Sequence, residues 1–348
     1  MSGPPVSPSI ALQHAHERAK NRRRRSLALL AAALLLLFAL SLVAGRFPAL
    51  RMMAAGDASS AGLARRLVLE LRLPRCIAAV AAGMSLAAAG MVFQTLFANP
   101  LVEPGLLGVS QGAAFGAALS IIMLSRSAWM VQVSAALFAF AGLWTSFALA
   151  RSIRYGGWVL RLVLAGIAVS AMFSAGLGIM KYVADPLREL PDITFWLLGG
   201  LTAASWPTAL SILPAAAAGI AYMLAQRWRI NALSLSEEAA HSLGMAVQRE
   251  RLLVLVAAVV PTAAVISVAG IVSWVGLIIP HIGRRMFGAD TRHALPATML
   301  LGGLFTLACD DLARTMLPGE IPLGILTSLA GAAIFLVLMV RRGIRMER

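Results

Sequence analysis

The sequence predicts an all-α, polytopic membrane protein with about ten transmembrane helices. Apolar residues make up 59% of the 348 residues and the mean hydropathy is +0.82, whereas a soluble domain is about 45–50% apolar. Charged residues make up only 13% and cluster in short runs between long apolar stretches. Because one span needs about 20 apolar residues, a chain of this length has room for roughly ten spans with short loops and for no separate soluble domain.

The predicted domain organisation is a single transmembrane domain, residues 27–342, between a basic tail at 1–26 and a short tail at 343–348. Both tails are expected in the cytoplasm. The first apolar run, Ser26 to Ala44, is longer than the core of about 7–15 residues in a cleaved signal peptide, so it is predicted to be a retained span. The ten predicted spans cover residues 26–44, 76–97, 105–124, 128–150, 159–182, 206–226, 252–270, 272–287, 294–314 and 321–340.

Glycines mark one break and several predicted helix contacts. Two apolar runs almost merge near Gly270, where we place the boundary between the seventh and eighth spans. Small residues at helical spacing, Gly83 with Ala87 and Gly112 with Gly116, predict close approach between neighbouring helices.

The distribution of positive charge predicts the orientation of the spans. Of the 30 Lys and Arg residues, 20 lie in segments that this arrangement places in the cytoplasm, as the positive-inside rule expects. Six of the others lie in one outward loop, residues 46–75, whose acidic residues are Asp57 and Glu70. The net charge of +15 thus comes largely from residues that flank spans, which disfavours a nucleic-acid-binding function.

The outward arginines allow two interpretations. They could form a docking surface for an acidic protein partner, since opposite charge steers encounter, or they could reach lipid headgroups. For Arg46, Arg51, Arg65 and Arg66 both interpretations stay open. Arg72 and Arg75 are three residues apart at the mouth of a span, on one helical face, and this placement favours docking.

The loop at 227–250 is predicted to contain a short helix that meets a protein partner. Ser234 or Ser236 can cap this helix, because Glu237 and Glu238 then lie in its first turn, where the helix dipole favours anions. An apolar patch and a helix-breaking glycine follow, at Ala239, Ala240, Leu243, Met245 and Gly244. A lipid-binding helix is usually basic with bulky apolar residues, so a partner's groove is the favoured contact.

Catalytic and cofactor motifs are not evident. The chain has no G-x-x-x-x-G-K-[ST] loop for nucleotide phosphates, and its five His residues show no metal-ligand spacing. Cys76 and Cys309 lie in apolar runs and are expected to be core residues. We therefore predict no enzyme activity, no cofactor and no metal site.

Charges inside the predicted spans are few. Asp310, Asp311 and Arg314 lie within one helical turn, and a pair between Arg314 and either aspartate would lower the cost of burying both charges. A proton-driven transporter would usually need carboxylates across the bilayer, so an energy source outside this chain is favoured.

Several strings together resemble the FecCD permeases, the membrane subunits of type II ABC importers for ferric siderophores, haem and cobalamin. They cover about residues 65 to 342 in family order and are LRLPR (71–75), NPLVEPGLLGVSQGA (99–113), DPLRELPDITFWLLGGL (185–201), EEAAHSLGM (237–245), VSWVGLIIPHIGR (272–284) and EIPLGILTSLAGA (320–332).

The resemblance implies a cobalamin-permease-like fold of ten spans and three kinds of partner. These are a second copy of the chain in a homodimer with the pathway on its axis, two ATP-binding subunits, and a periplasmic or lipid-anchored substrate-binding protein. It implies docking at Arg72, Arg75 and Arg314; contact with the ATPase at Glu238, Ala239, Ala240, Leu243 and Gly244; and an inner gate at Asn99, Leu101, Val159 and Leu160.

The function implied is transport of an iron chelate across the bacterial inner membrane by alternating access. A ferric siderophore is the first choice, haem the second and cobalamin the third; a self-contained secondary transporter and a receptor without transport are the competing classes. The sequence departs from the family pattern at Gly199-Gly200 and Gly331-Ala332-Ala333, and at Val159 and Leu160, where related permeases often carry hydroxyl residues.

Overall fold

The structure, a computed structural model, describes residues 8–45, 47 and 58–340, with side chains of residues 8–16 and 19 not included. The predicted tail at 343–348 and the arginines at 46 and 51 lie outside the described residues. The described part is all-helical and contains no strand. Its fourteen α-helices are α1 (Pro8–Val43), α2 (Ala58–Arg66), α3 (Leu73–Leu96), α4 (Val109–Leu119), α5 (Ala128–Ser152), α6 (Trp158–Val183), α7 (Glu189–Leu198), α8 (Trp206–Ala225), α9 (Arg227–Leu233), α10 (Glu237–Ser242), α11 (Val247–Ala269), α12 (Val275–Phe287), α13 (Thr291–Thr315) and α14 (Leu323–Val340).

Each of the ten predicted spans corresponds to a helix, but the helices differ in length. Eight are long and apolar enough to cross a membrane: Lys20–Val43, Ser59–Leu96, Ala128–Ser152, Trp158–Val183, Trp206–Ala225, Val247–Ala269, Thr291–Thr315 and Leu323–Val340. The other two are shorter. The apolar helix Val109–Leu124 combines α4 with a π-helical turn, and α12 has 13 residues, which is about 20 Å of helix against a hydrocarbon core of about 30 Å.

The helix α3 lies at the centre of the bundle. In its most apolar window, 83% of the residues are buried, compared with 11% for α1. It crosses α13 where Gly83 faces Gly302: a Cβ added to Gly83 would lie 2.1 Å from the carbonyl oxygen of Gly302. Gly112 and Gly116 face the backbone of α5 in the same way, so the close contacts predicted from small residues are confirmed.

Two helix N-termini meet near the middle of α3. After α3, the chain turns back and forms a 3₁₀ turn, Pro104–Leu107, before α4 begins. The break predicted near Gly270 is confirmed, because Gly270 has φ +65° and α12 begins only at Val275. A Cβ on Gly276 would lie 3.0 Å from the Pro104 ring and 3.2 Å from the carbonyl oxygen of Leu86. The two shorter helices therefore begin within the bundle, next to each other.

The bundle has two ends, which we name by their residues. The arginine end is the end where Arg72, Arg75 and Arg314 lie, and the α10 end is the one where α10 and the start of α6 lie. The 24 residues of α3 span about 36 Å between them.

Candidate functional site

At the arginine end, Arg72 completes the C-terminus of α1. Its guanidinium donates hydrogen bonds to the carbonyl oxygens of Leu42 at 3.1 Å, Val43 at 2.8 Å and Phe47 at 2.8 Å, and the residue is only 6% exposed. Carbonyls at a helix C-terminus lack intrahelical donors and carry partial negative charge. Arg72 therefore supplies donors and positive charge where α1 needs both.

Arg75 joins α3 to α13 and to the segment before α14. It donates to Asp310 through Nε and Nη2, with Nη2 2.9 Å from Oδ1, and through Nη1 to Glu320 at 3.0 Å. The side chain of Asp310 is fully buried, that of Arg75 is 12% exposed and that of Glu320 is 35% exposed. Of these three charges, Glu320 is the one most open to solvent.

Arg314 forms an ion pair with Asp311 and also donates to the carbonyl oxygen of Ser41. The hydroxyl of Ser41 in turn donates to Asp311. The prediction that one of the two aspartates pairs with Arg314 is confirmed for Asp311, whereas Asp310 pairs with Arg75.

The positive charges at the arginine end are paired within the chain. The side chains of Arg72, Arg75 and Arg314 are buried or nearly so, and each guanidinium has partners within the chain. The physical reason is that helix termini and carboxylates of α1 and α13, remote in sequence, come together around them.

At the α10 end, the predicted short helix is present as α10. Ser236 is the cap, since its hydroxyl oxygen accepts a hydrogen bond from the Ala239 N–H at 3.3 Å. Gly244, with φ +76°, follows the helix, as predicted. Glu238, Leu243 and Gly244 are exposed and Ala239 is half-buried.

One residue of the predicted contact set does not face outward. Ala240 is fully buried and Met245 is 7% exposed, because the apolar side of α10 packs onto the helix bundle. Ala240 therefore anchors α10 to its own chain, and the part of the expectation that has it touching a partner does not fit this structure.

Hydrogen bonds join α9, the helix before α10, to the start of α13. The Asn231 side chain donates to Asp290 at 2.6 Å and accepts from the Thr291 N–H at 2.9 Å. Asp290 also accepts from the Arg292 side chain, and these hydrogen bonds, with the charge of Arg292, hold the pKa of Asp290 well below its usual range. The carboxylate is thus charged at neutral pH and fixes α9 to the start of α13.

The four predicted gate residues lie in two segments that the structure brings together. Leu101 and Leu160 are 59% and 48% exposed, Asn99 is exposed and Val159 is half-buried. The side-chain oxygen of Asn99 accepts from the Leu101 N–H at 2.9 Å, which fixes the turn after α3. The two segments meet through aromatic rings, since the centroid of Phe97 lies 5.4 Å from that of Trp158.

A polar cavity of about 140 Å³ lies where α4 and α12 begin. Glu103, Ser110, Gln111 and Ser273 line it, and none of the four side chains has a hydrogen-bond partner among the described residues. A carboxylate at such depth is costly and is often functional. The sequence reasoning missed Glu103, because a single charge in the turn after Asn-Pro resembles an ordinary loop residue; the signal was a charge directly before a helix too short to span.

A larger cleft of about 510 Å³ opens at the arginine end between α5, α7 and the end of α11. Its polar lining includes Arg126, Gln132, Asp192 and Glu320, and its aromatic lining includes Phe195, which is 69% exposed. The cleft shares Glu320 with the ion pairs of Arg75. Within the searched, described residues, no group of three or more His, Cys, Asp or Glu side chains could hold a metal ion.

Known proteins match nearly the whole chain. The model of the FecCD transport family matches residues 30–341. A probable iron chelatin transport system permease protein of Helicobacter pylori is 41% identical over 281 residues, covering 80% of this chain and 84% of its own length. The hemin transport system permease protein HmuU of Yersinia pestis is 38% identical, covering 79% and 82%. The molybdate import system permease protein MolB of Haemophilus influenzae is 36% identical, covering 80% and 83%.

A solved structure confirms the architecture. A metal-chelate type ABC transporter in an inward-facing conformation superposes with a TM-score of 0.84 at 34% identity, covering 91% of this chain and 99% of that one. The chain therefore belongs to the FecCD transport family and is a multi-span membrane protein of the ABC permease type.

Proposed function

We propose that the chain is the membrane-spanning subunit of an ATP-driven importer that carries a metal chelate across the bacterial inner membrane. The observation that carries the proposal is the match of residues 30–341 to the FecCD family and of 91% of the chain to an inward-facing metal-chelate type transporter. A ferric siderophore is the first choice of substrate, haem the second and cobalamin the third, in line with relatives named for iron chelatin, hemin and cobalamin. A relative named for molybdate import adds this oxyanion to the substrates worth testing.

The proposed assembly contains two copies of the chain, two ATP-binding subunits and a substrate-binding protein that is periplasmic or lipid-anchored. The exposed residues of α6 support the dimer. Ala168, Ala171, Ala175 and Gly178 are exposed, and small residues allow two helices to approach closely in a membrane. Large apolar side chains are exposed beside this row, as at Met172, 70% exposed, and on α5, as at Trp144, 69% exposed; these suit contact with lipid.

In the proposed orientation the arginine end faces outward, and the α10 end and both termini face the cytoplasm. Docking at Arg72, Arg75 and Arg314 takes the form of carboxylate exchange: an acidic group of the binding protein replaces Glu320 on Arg75, while Arg72 and Arg314 hold the helix ends in place. The exposure of Glu320, 35% against 0% for Asp310, makes it the carboxylate that exchanges.

Transport then proceeds by alternating access, without chemistry on the substrate. The ATP-binding subunits contact Glu238, Ala239, Leu243 and Gly244 of α10 and the residues beside it. Their movement opens and closes the gate at Asn99, Leu101, Val159 and Leu160. The permease needs only different contacts in two states, because a ligand shifts an equilibrium by its differential affinity for them.

Reconstitution tests the proposal. The chain is purified with its ATP-binding subunits, placed in proteoliposomes and supplied with the binding protein and, in turn, ferric siderophore, hemin, cobalamin and molybdate. Uptake that requires ATP hydrolysis and one of these substrates is expected. Uptake driven by an ion gradient without ATP would replace the proposal by a secondary transporter, and ATP hydrolysis without movement of any ligand would favour a receptor.

Cysteine labelling tests the orientation. Cys76 and Cys309 are buried, so single cysteines introduced at the exposed positions 66 and 238 can be compared in intact spheroplasts. A membrane-impermeant maleimide is expected to label position 66 alone. Labelling at 238 without labelling at 66 would reverse the orientation.

A further inference from the structure

Trp158 lies between the two segments that form the proposed gate. It is the first residue of α6, directly before Val159 and Leu160. Its ring packs against Phe97, with centroids 5.4 Å apart at 52°, and Phe97 lies two residues before Asn99. Phe97 in turn stacks on Phe93, with centroids 5.7 Å apart. A displacement of Trp158 therefore acts on both gate segments together.

Arg251, on α11, also contacts the Trp158 ring. Its guanidinium carbon lies 4.4 Å from the ring centroid, within the range of a cation–π interaction. Arg251 is 6% exposed, and its Nε is buried without a hydrogen-bond partner among the described residues. The ring and one carboxylate are thus the main partners of this buried cation.

That carboxylate is Glu237 in the first turn of α10, which forms an ion pair with Arg251. The Glu237 side chain is 59% exposed, whereas the Arg251 side chain is 7% exposed. Glu237 therefore reaches from the surface helix α10 to a buried cation, and through it to Trp158. The contacts run without interruption from α10 to the ends of α6 and α3.

A cleft of about 740 Å³ adjoins these contacts. Trp158, Glu237 and Arg251 all line it, together with Arg161 and Leu235. Because close-packed interiors resist displacement, a cleft here gives the ring and the guanidinium space in which to move.

We infer that Arg251 is a positioning residue that transmits movement of α10 to the gate through Trp158. The inference rests on the proposed function, in which α10 meets the ATP-binding subunits and residues 99, 101, 159 and 160 form the gate. Movement of α10 shifts Glu237, Arg251 follows its counterion, and the Trp158 ring follows the cation. Packed side chains and ion pairs of this kind can carry energetic coupling between distant sites.

Gate movement in the whole complex tests the inference without a known substrate. Leu160→Cys, at a residue 48% exposed, serves as the reporter, and Cys76 and Cys309 are replaced by alanine. The rate of maleimide labelling is compared in nucleotide-free complexes and in complexes trapped with ATP and vanadate. The reporter alone is expected to show a clear difference between the two states.

Substitutions along the contacts should remove that difference selectively. In Trp158→Leu and in Arg251→Met, both states are expected to label at the same rate while ATP hydrolysis continues. Trp158→Phe and Arg251→Lys, which keep a ring face and a cation, are expected to retain the nucleotide dependence. The double variant Glu237→Lys with Arg251→Glu restores an ion pair but puts no cation on the ring, so it is expected to behave as Arg251→Met.

Matched controls separate this role from general damage. Trp144→Leu removes an exposed tryptophan from α5, and Arg249→Met removes an exposed cation two residues before Arg251; both are expected to label like the reporter alone. A full nucleotide response in Trp158→Leu and Arg251→Met would overturn the inference and leave the proposed function intact. A reporter that never responds to nucleotide would instead contradict the gate assignment itself.

Discussion

The guanidinium of Arg75 lies 2.9 Å from the carboxylate of Asp310, although the two residues are 235 positions apart. This ion pair joins the start of α3 to the end of α13, and those helices cross again lower down at Gly83 and Gly302. The two helices are therefore joined by an ion pair at the arginine end and by close backbone contact at their crossing. Each of these interactions can be tested separately.

Breaking the Arg75–Asp310 pair should destabilise the protein strongly. Arg75→Met leaves a fully buried carboxylate without its main counterion, and removing one partner of a buried pair costs about 3–5 kcal/mol. Arg75→Met combined with Asp310→Leu should recover most of this loss, because no buried charge remains. The free energy of unfolding in detergent micelles measures both effects.

An exposed ion pair supplies the control. Arg126 is 39% exposed and pairs with Glu189 at 2.9 Å, so Arg126→Met should change stability by only about 0–1 kcal/mol. If Arg75→Met were no more destabilising than Arg126→Met, burial of Asp310 would not depend on Arg75.

Removing the exchangeable carboxylate should strengthen docking of the binding protein. Glu320→Gln leaves Arg75 paired with Asp310 and replaces the carboxylate that accepts from Nη1 by a neutral amide, a weaker acceptor that an acid on the partner can displace. A net gain of about 1 kcal/mol per hydrogen bond corresponds to an affinity increase of several-fold, measurable by binding of the partner to nanodisc-embedded complexes. Unchanged or weaker binding by Glu320→Gln would contradict carboxylate exchange.

Hydropathy and local chemistry allowed much of the fold to be predicted. Long apolar runs are visible in sequence because a membrane selects them, and a cap such as Ser236 or a break such as Gly270 depends on near neighbours. The partners of Arg72 and Arg75 were not predicted, because they come from α1 and α13, far away in the chain. The burial of Ala240 and the depth of Glu103 were missed for the same reason: each depends on tertiary packing.

The crossing of α3 and α13 should tolerate no side chain at its centre. A Cβ on Gly83 would lie 2.1 Å from the Gly302 carbonyl oxygen, and one on Gly302 would lie 2.2 Å from that of Gly83. Gly302→Ala should therefore separate the helices and reduce the amount of folded protein, as fluorescence-detected size exclusion can show. Gly62→Ala, on a helix with nothing within 4 Å of the added carbon, is the control; equal losses for both would argue against backbone contact.

Neutralising Glu103 should stabilise the protein. Its carboxylate lines a polar cavity without a hydrogen-bond partner among the described residues, and taking an unpaired charge out of water is costly. Glu103→Gln keeps the size of the side chain and removes the charge, so the melting temperature should rise. A fall would show that the charge of Glu103 stabilises the protein. Loss of uptake in a stabilised variant would assign the charge to transport.

A large side chain in place of Gly244 should uncouple ATP hydrolysis from transport. Gly244 has φ +76° and nothing within 4 Å of an added Cβ, so the chain itself leaves space for a side chain there. Any L residue at this φ carries strain of about 1–2 kcal/mol, and Gly244→Ala therefore isolates the effect of strain from that of size. Gly244→Arg adds a long cation on the surface that the ATP-binding subunit is proposed to cover.

In proteoliposomes, Gly244→Arg is expected to hydrolyse ATP without uptake, whereas Gly244→Ala is expected to transport at close to the unmodified rate. Equal impairment by alanine would mean that backbone strain, and not contact with the ATPase, causes the loss. Normal transport by Gly244→Arg would place the ATP-binding subunit elsewhere, because a buried interface beside α10 has no space for an unpaired guanidinium.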